Sequence, residues 1–122
     1  MYGKFTRRAA LSAISALSMW STTAHAQPAA LREIEIQQGI EYATHDGVKL
    51  QGDLYVPKAA GKYPVVVAVH GGGWQVGNRE SYQSWGNWLA ARGTAVFAVS
   101  YRLSKPGQKT YPQAVHDVRA AF

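Results

Sequence analysis

Two uninterrupted apolar runs, Val65-Val66-Val67-Ala68-Val69 and Ala95-Val96-Phe97-Ala98-Val99, constrain this chain most. Strands with no polar alternation suit a sheet covered on both faces, the habit of parallel strands flanked by helices. Between the runs, Tyr82, Trp85, Trp88 and Leu89 recur at spacings of three and four. That spacing predicts a helix over Ser81 to Arg92 with those residues on its inner face, ended by Gly93. Strand, helix and parallel strand then form a right-handed crossover. After the second run, Tyr111, Val115, Val118 and Phe122 mark another helix, with Pro112 in its first turn. Upstream, Glu33 to Tyr42 and Val48 to Val56 alternate between polar and apolar around the turn signal His45-Asp46-Gly47, and Pro57 closes the second segment. The predicted order is β-β-β-α-β-α, an α/β sheet that is mostly parallel with an antiparallel N-terminal hairpin.

The first 26 residues read differently. Lys4, Arg7 and Arg8 precede an apolar run from Ala9 to Trp20, and Ala24-His25-Ala26 follows. Charge, apolar stretch and a small-x-small site in that order form a signal peptide, with Gln27 as the new N-terminus. A run of 12 residues is short of the roughly 20 that span a bilayer, so no membrane span is expected. Arg7-Arg8 fits a twin-arginine leader, and Sec export fits equally. Cleavage would leave 96 residues with ten basic and seven acidic side chains, a net charge of +3. The expected organisation is a signal peptide over 1–26, a flexible lead over 27–32 and the domain over 33–122, exported to the periplasm or medium. With half of the basicity in the leader and no basic cluster interleaved with aromatics, nucleic acid is not an expected partner. The chain has no cysteine, which excludes disulfides and thiolate metal sites. His45, His70 and His116 lack metal-ligand spacing, so no metal is expected.

The segment that carries chemistry is His70-Gly71-Gly72-Gly73-Trp74, immediately after the first apolar run. Consecutive glycines let a backbone curl its N–H groups onto an anionic oxygen. A plain strand-to-helix turn would use the same glycines, and His70 and Trp74 at its two ends favour the functional reading. A dinucleotide fingerprint fails because Val76 stands at its third glycine, and a P-loop fails because Asn78-Arg79 follow Gly77.

This segment resembles the oxyanion-hole motif of the α/β-hydrolase superfamily, specifically its hormone-sensitive-lipase-like and feruloyl-esterase-like carboxylesterases. Asp53-Leu54-Tyr55-Val56-Pro57, Ser100-Tyr101-Arg102-Leu103-Ser104 and the stretch from Tyr111 to Phe122 resemble further motifs of the same proteins. The resemblance implies a partial α/β-hydrolase fold, truncated before the nucleophile elbow, and acyl chemistry on a small-molecule ester with no cofactor. It implies that Gly72 and Gly73 give main-chain N–H groups to the oxyanion and that His70 orients the loop. Trp74 would line the acyl or alcohol pocket or else pack in the core. Arg102 and Asp117 would form a structural pair clamping the last helix.

The family mechanism also needs a serine within Gly-x-Ser-x-Gly, then an acid and a histidine. No such pentapeptide occurs, and Ser81, Ser84, Ser100 and Ser104 lie outside that context. No catalytic nucleophile, acid or base is therefore assigned, and the 122-residue polypeptide is expected to be inactive alone. The expected parent is an exported serine carboxylic-ester hydrolase. A non-catalytic α/β-hydrolase-like binding module is the second reading.

Overall fold

The structure, a computed structural model, describes residues 30–122; the expected signal peptide lies outside the described residues. Four strands make one sheet: β1 (Ile34–His45), β2 (Val48–Pro57), β3 (Val65–Val69) and β4 (Ala95–Val99). Two helices join them, α1 (Gln83–Ala90) and α2 (Gln113–Arg119), and a 3-10 turn (Arg79–Tyr82) leads into α1. The spatial order is β1-β2-β4-β3.

The hairpin forms as expected, β1 running antiparallel to β2 around Asp46 and Gly47. β2 also runs antiparallel to β4, and only β4 with β3 is parallel, in the register Val65↔Ala95 to Val69↔Val99. The partial α/β-hydrolase fold stands, but the described sheet is mixed, with less parallel pairing than expected. Of the expected flexible lead, Arg32 is already held. Its N–H donates to the Ala91 carbonyl at 2.8 Å, and its guanidinium lies over the Tyr63 ring.

Alternation puts Tyr55, Val96 and Ala98 on the face that α1 covers, where they pack with Ala68 and Ala90. On the opposite face Leu54 and Phe97, direct partners across β2 and β4, remain half-buried. The apolar runs are therefore less enclosed than their composition implied.

In both helices part of the expected stripe faces outward: Tyr82 and Leu89 pack against the core as their spacing predicted, but the tryptophans between them do not. In α1 the buried positions are Gly86 and Ala90, while Trp85 is 60% exposed and Trp88 49% exposed. A Cβ on Gly86 would stand 2.5 Å from the Tyr55 ring, so the helix approaches the sheet through small residues and the bulky indoles face out. There they pair edge to face at 5.9 Å. In α2 the buried positions are Ala114 and Asp117, and Tyr111 and Phe122 are exposed. A charged group draws α2 inward, and hydrophobic periodicity could not register that. Gly93 does end α1, its N–H donating to the Ala90 carbonyl and that of Thr94 to the Leu89 carbonyl.

Candidate active site

β3 delivers the glycine loop to the C-terminal end of the only parallel pair in the described sheet. There Tyr82 donates to the Val69 carbonyl at 3.0 Å, Tyr101 to the His70 carbonyl at 2.8 Å, and Tyr42 to the Ser100 carbonyl at 2.7 Å. Burial, with Tyr82 nearby, pushes the Tyr101 phenol up. Burial, then the neighbouring Asp117 carboxylate, pushes Tyr42 up to about 12. Both stay protonated donors at any working pH.

Beyond β3 the chain bends sharply. Gly72 has φ 122°, Gly73 φ 61° and Trp74 φ 66°. Two glycines meet the first two demands without cost, whereas a left-handed tryptophan is strained. The fold fixes it by two contacts: the Trp74 carbonyl accepts from the Ser104 N–H at 2.7 Å, and the indole meets the Tyr101 ring edge-on at 5.4 Å. His70 is buried and stacks on the ring of the hydroxyl-anchored Tyr101, with ring centroids 4.4 Å apart. Its Nδ1 donates to the Gly71 carbonyl at 2.9 Å, since a carbonyl can only accept. Its Nε2 is buried with no partner among the described residues.

These bonds decide where the loop's amides face. In a trans peptide the C=O and N–H point to opposite sides. With the Gly71 carbonyl held by His70, the Gly72 N–H faces away from that ring. The Gly72 carbonyl accepts from Gln75 and Val76 at 3.1 and 3.2 Å, which turns the Gly73 N–H away from the turn they form. Among the described residues neither amide donates a hydrogen bond, and both glycines are exposed. Trp74 is 48% exposed and borders an open cleft with Gly73, Ser104 and Tyr111, so it lines a surface and is not core.

Arg102 and Asp117 meet in a bidentate pair: Nε to Oδ2 at 2.8 Å and Nη2 to Oδ1 at 2.7 Å. The Arg102 amide donates to the same carboxylate, and His45 Nδ1 lies 2.8 Å from Oδ1. Arg102 also reaches Asp46 at 2.6 Å. Burial lifts the Asp117 carboxyl, but the bonds from Arg102 and His45 outweigh it and hold the carboxyl below its usual range. The same carboxylates, Asp117 first, raise the guanidinium.

A second buried pair escaped the sequence reading. Asp53 on β2 is 1% exposed and accepts from Arg79 Nε and the Gly39 N–H, each at 2.8 Å. It ties the far end of the glycine loop to the hairpin. Its place as the one acid of β2 was the available signal. Among the described residues no cluster of His, Cys, Asp or Glu could hold a metal, and no helix is long and apolar enough to cross a membrane.

A parallel strand feeding a glycine turn and a helix, beside an antiparallel hairpin, is the opening layer of an α/β-hydrolase of the carboxylesterase type. The BD-FAE family model matches residues 52–122, more than half of the chain, and the chain belongs to that family. Several solved esterases superpose on it. Brefeldin A esterase, a bacterial homologue of human hormone-sensitive lipase, is 26% identical with a TM-score of 0.64, covering 78% of this chain and 27% of that one. A thermophilic esterase from the planctomycete Thermogutta terrifontis is 27% identical with a TM-score of 0.60, covering 71% and 31%. A bacterial heroin esterase is 30% identical with a TM-score of 0.57, covering 73% and 27%. The chain thus spans between a quarter and a third of the length of these structures. No curated protein matches it.

Proposed function

We propose that this chain supplies the oxyanion-binding portion of an exported serine carboxylic-ester hydrolase and does not turn over substrate by itself. One observation carries the reading: the Gly72 and Gly73 amides are unpaired among the described residues, at a strand end where the Val69, His70, Gly71, Gly72 and Trp74 carbonyls are each tied back. A carbonyl under attack develops negative charge on oxygen, and each donor aimed at it is worth about 3 kcal/mol of barrier. The donors act because they are fixed beforehand, here by His70, Tyr101 and the Gln75–Val76 turn. Trp74, held beside them, would form one wall for the acyl or alcohol group.

The solved relatives are esterases, which supports a small-molecule ester as the substrate class. Inactivity of the 122 residues follows from the sequence, which has no Gly-x-Ser-x-Gly to carry a nucleophile and its following N–H donor. Export rests on the charge, apolar run and cleavage pattern of residues 1–26.

The test is hydrolysis of p-nitrophenyl acetate, by the chain alone and by the chain followed by whatever its reading frame encodes downstream. No p-nitrophenol above buffer is expected from the first, and turnover is expected from the second. A stoichiometric burst from the 122 residues would overturn the inactivity, and a continuation without a serine elbow would overturn the esterase role. Mass spectrometry of exported protein should find Gln27 at the N-terminus.

A further inference from the structure

We infer that the cleft beside the glycine loop selects esters that carry a carboxylate, with Lys105 and Lys109 as the selecting groups. The inference rests on the esterase reading above and names the substrate class of the same site. Gly73 and Trp74 form one side of the cleft, and the bend from Ser104 to Tyr111 forms the other. Both ammonium-bearing residues line it, no acidic residue does, and neither lysine has an ion-pair partner among the described residues.

The bend holds its own shape. Lys105 and Gln108 exchange two backbone hydrogen bonds of 2.9 Å across Pro106-Gly107, and Ser104 Oγ accepts from the Thr110 N–H at 3.1 Å. It is joined to the candidate oxyanion loop by the 2.7 Å bond from the Ser104 N–H to the Trp74 carbonyl. The lysine stems therefore start from fixed points on the wall facing Trp74, so a substrate seated there meets two positive charges at one end. An anion near two unpaired ammonium groups gains Coulomb energy that a neutral ester of equal size does not, and salt screens the gain. Apolar surface from Trp74 and Tyr111 accommodates the remainder of the ester.

The test is binding to the 122-residue chain, tethered sparsely on a sensor surface so that copies stay apart. The probes are monoethyl succinate, which is anionic, and diethyl succinate, which is neutral. The hemiester should bind about fivefold more tightly at low salt, and the preference should fade at 0.5 M sodium chloride. Lys105→Gln with Lys109→Gln, which change exposed side chains and keep the backbone hydrogen bonds of the bend, should abolish the preference while diethyl succinate still binds. Equal binding of both probes to the unmodified chain would overturn the inference and leave the cleft standing as an ester site. Failure of both probes to bind would overturn the ester site itself and the inference with it. A preference that survives the double substitution would assign it to other residues and overturn the role of the lysines.

Discussion

At the scale of single residues, the three glycines of the loop are not equivalent. Gly71 lies outside the left-handed region and an added Cβ meets nothing within 4 Å. Gly73 has equal space but φ 61°, and Gly72 combines φ 122° with a Cβ position 1.9 Å from the Val76 carbonyl oxygen. Gly71→Ala should thus change stability by less than about 0.5 kcal/mol, and Gly73→Ala should cost about 1–2 kcal/mol for a left-handed side chain. Gly72→Ala should cost about 3 kcal/mol, because the clash is with backbone that cannot rotate away. Urea midpoints of the three variants check the ranking; equal midpoints would mean that the loop adopts another path. Sequence alone could mark the triplet as special but could not rank it. The ranking depends on Val76, which folds back over Gly72 through a turn whose hydrogen bonds leave no pattern in the sequence.

Among the elements, α2 is held by charge and α1 by smallness. Asp117 joins the bend after β4, the hairpin turn and α2 through Arg102, His45 and Asp46. Removing one partner of a buried pair leaves an uncompensated charge, so Arg102→Ala or Asp117→Ala should each cost about 3–5 kcal/mol. The double variant should cost well below the sum, and strict additivity would deny the coupling. The carboxyl titrates below its usual value of 3.8 in the folded chain. Its stabilising contribution is therefore complete above the unfolded pKa and disappears as pH falls through the folded one. Unfolding midpoints should stay level from pH 7 to about 5, decline below about 4, and decline less steeply in Asp117→Asn. In α1, Gly86→Ala should cost about 1–3 kcal/mol by pressing on Tyr55, whereas Trp85→Gln should shift stability by less than about 0.5 kcal/mol. The reverse order would restore the tryptophan face that spacing alone suggested. Strands, hairpin and helix positions were legible because apolar runs and turn residues are local signals. The inward stripes were legible in part: Tyr82 and Leu89 pack as their spacing implied, whereas Gly86 is buried by close approach and Asp117 by an ion pair that the family resemblance, not hydrophobicity, implied.

For the whole molecule, the exposed flank of the sheet governs behaviour in solution. β3 pairs with β4 on one side and with nothing on the other among the described residues. It begins with Val65, 62% exposed, and Val66, 44% exposed. A flat valine strand with a free row of N–H and C=O groups is a template for another strand, and no lysine, proline or bulge interrupts it. The relatives, of which this chain covers 27–31%, have further chain available to cover such a flank. For the described residues, a second copy of the chain offers a strand of the same kind. The weighted sedimentation coefficient of the chain should rise between about 1 and 100 µM. Val65→Lys places a charge at the strand's exposed start, where the valine contributes little to the core, and should return the chain toward a monomer without lowering its urea midpoint. A wild-type coefficient that stays flat over that range would mean the edge is closed by something other than strand pairing. The midpoint separates the two effects of the substitution: a fall would show that Val65 supports the fold from within, and an unchanged value with restored monomer would identify the open edge as the cause of association.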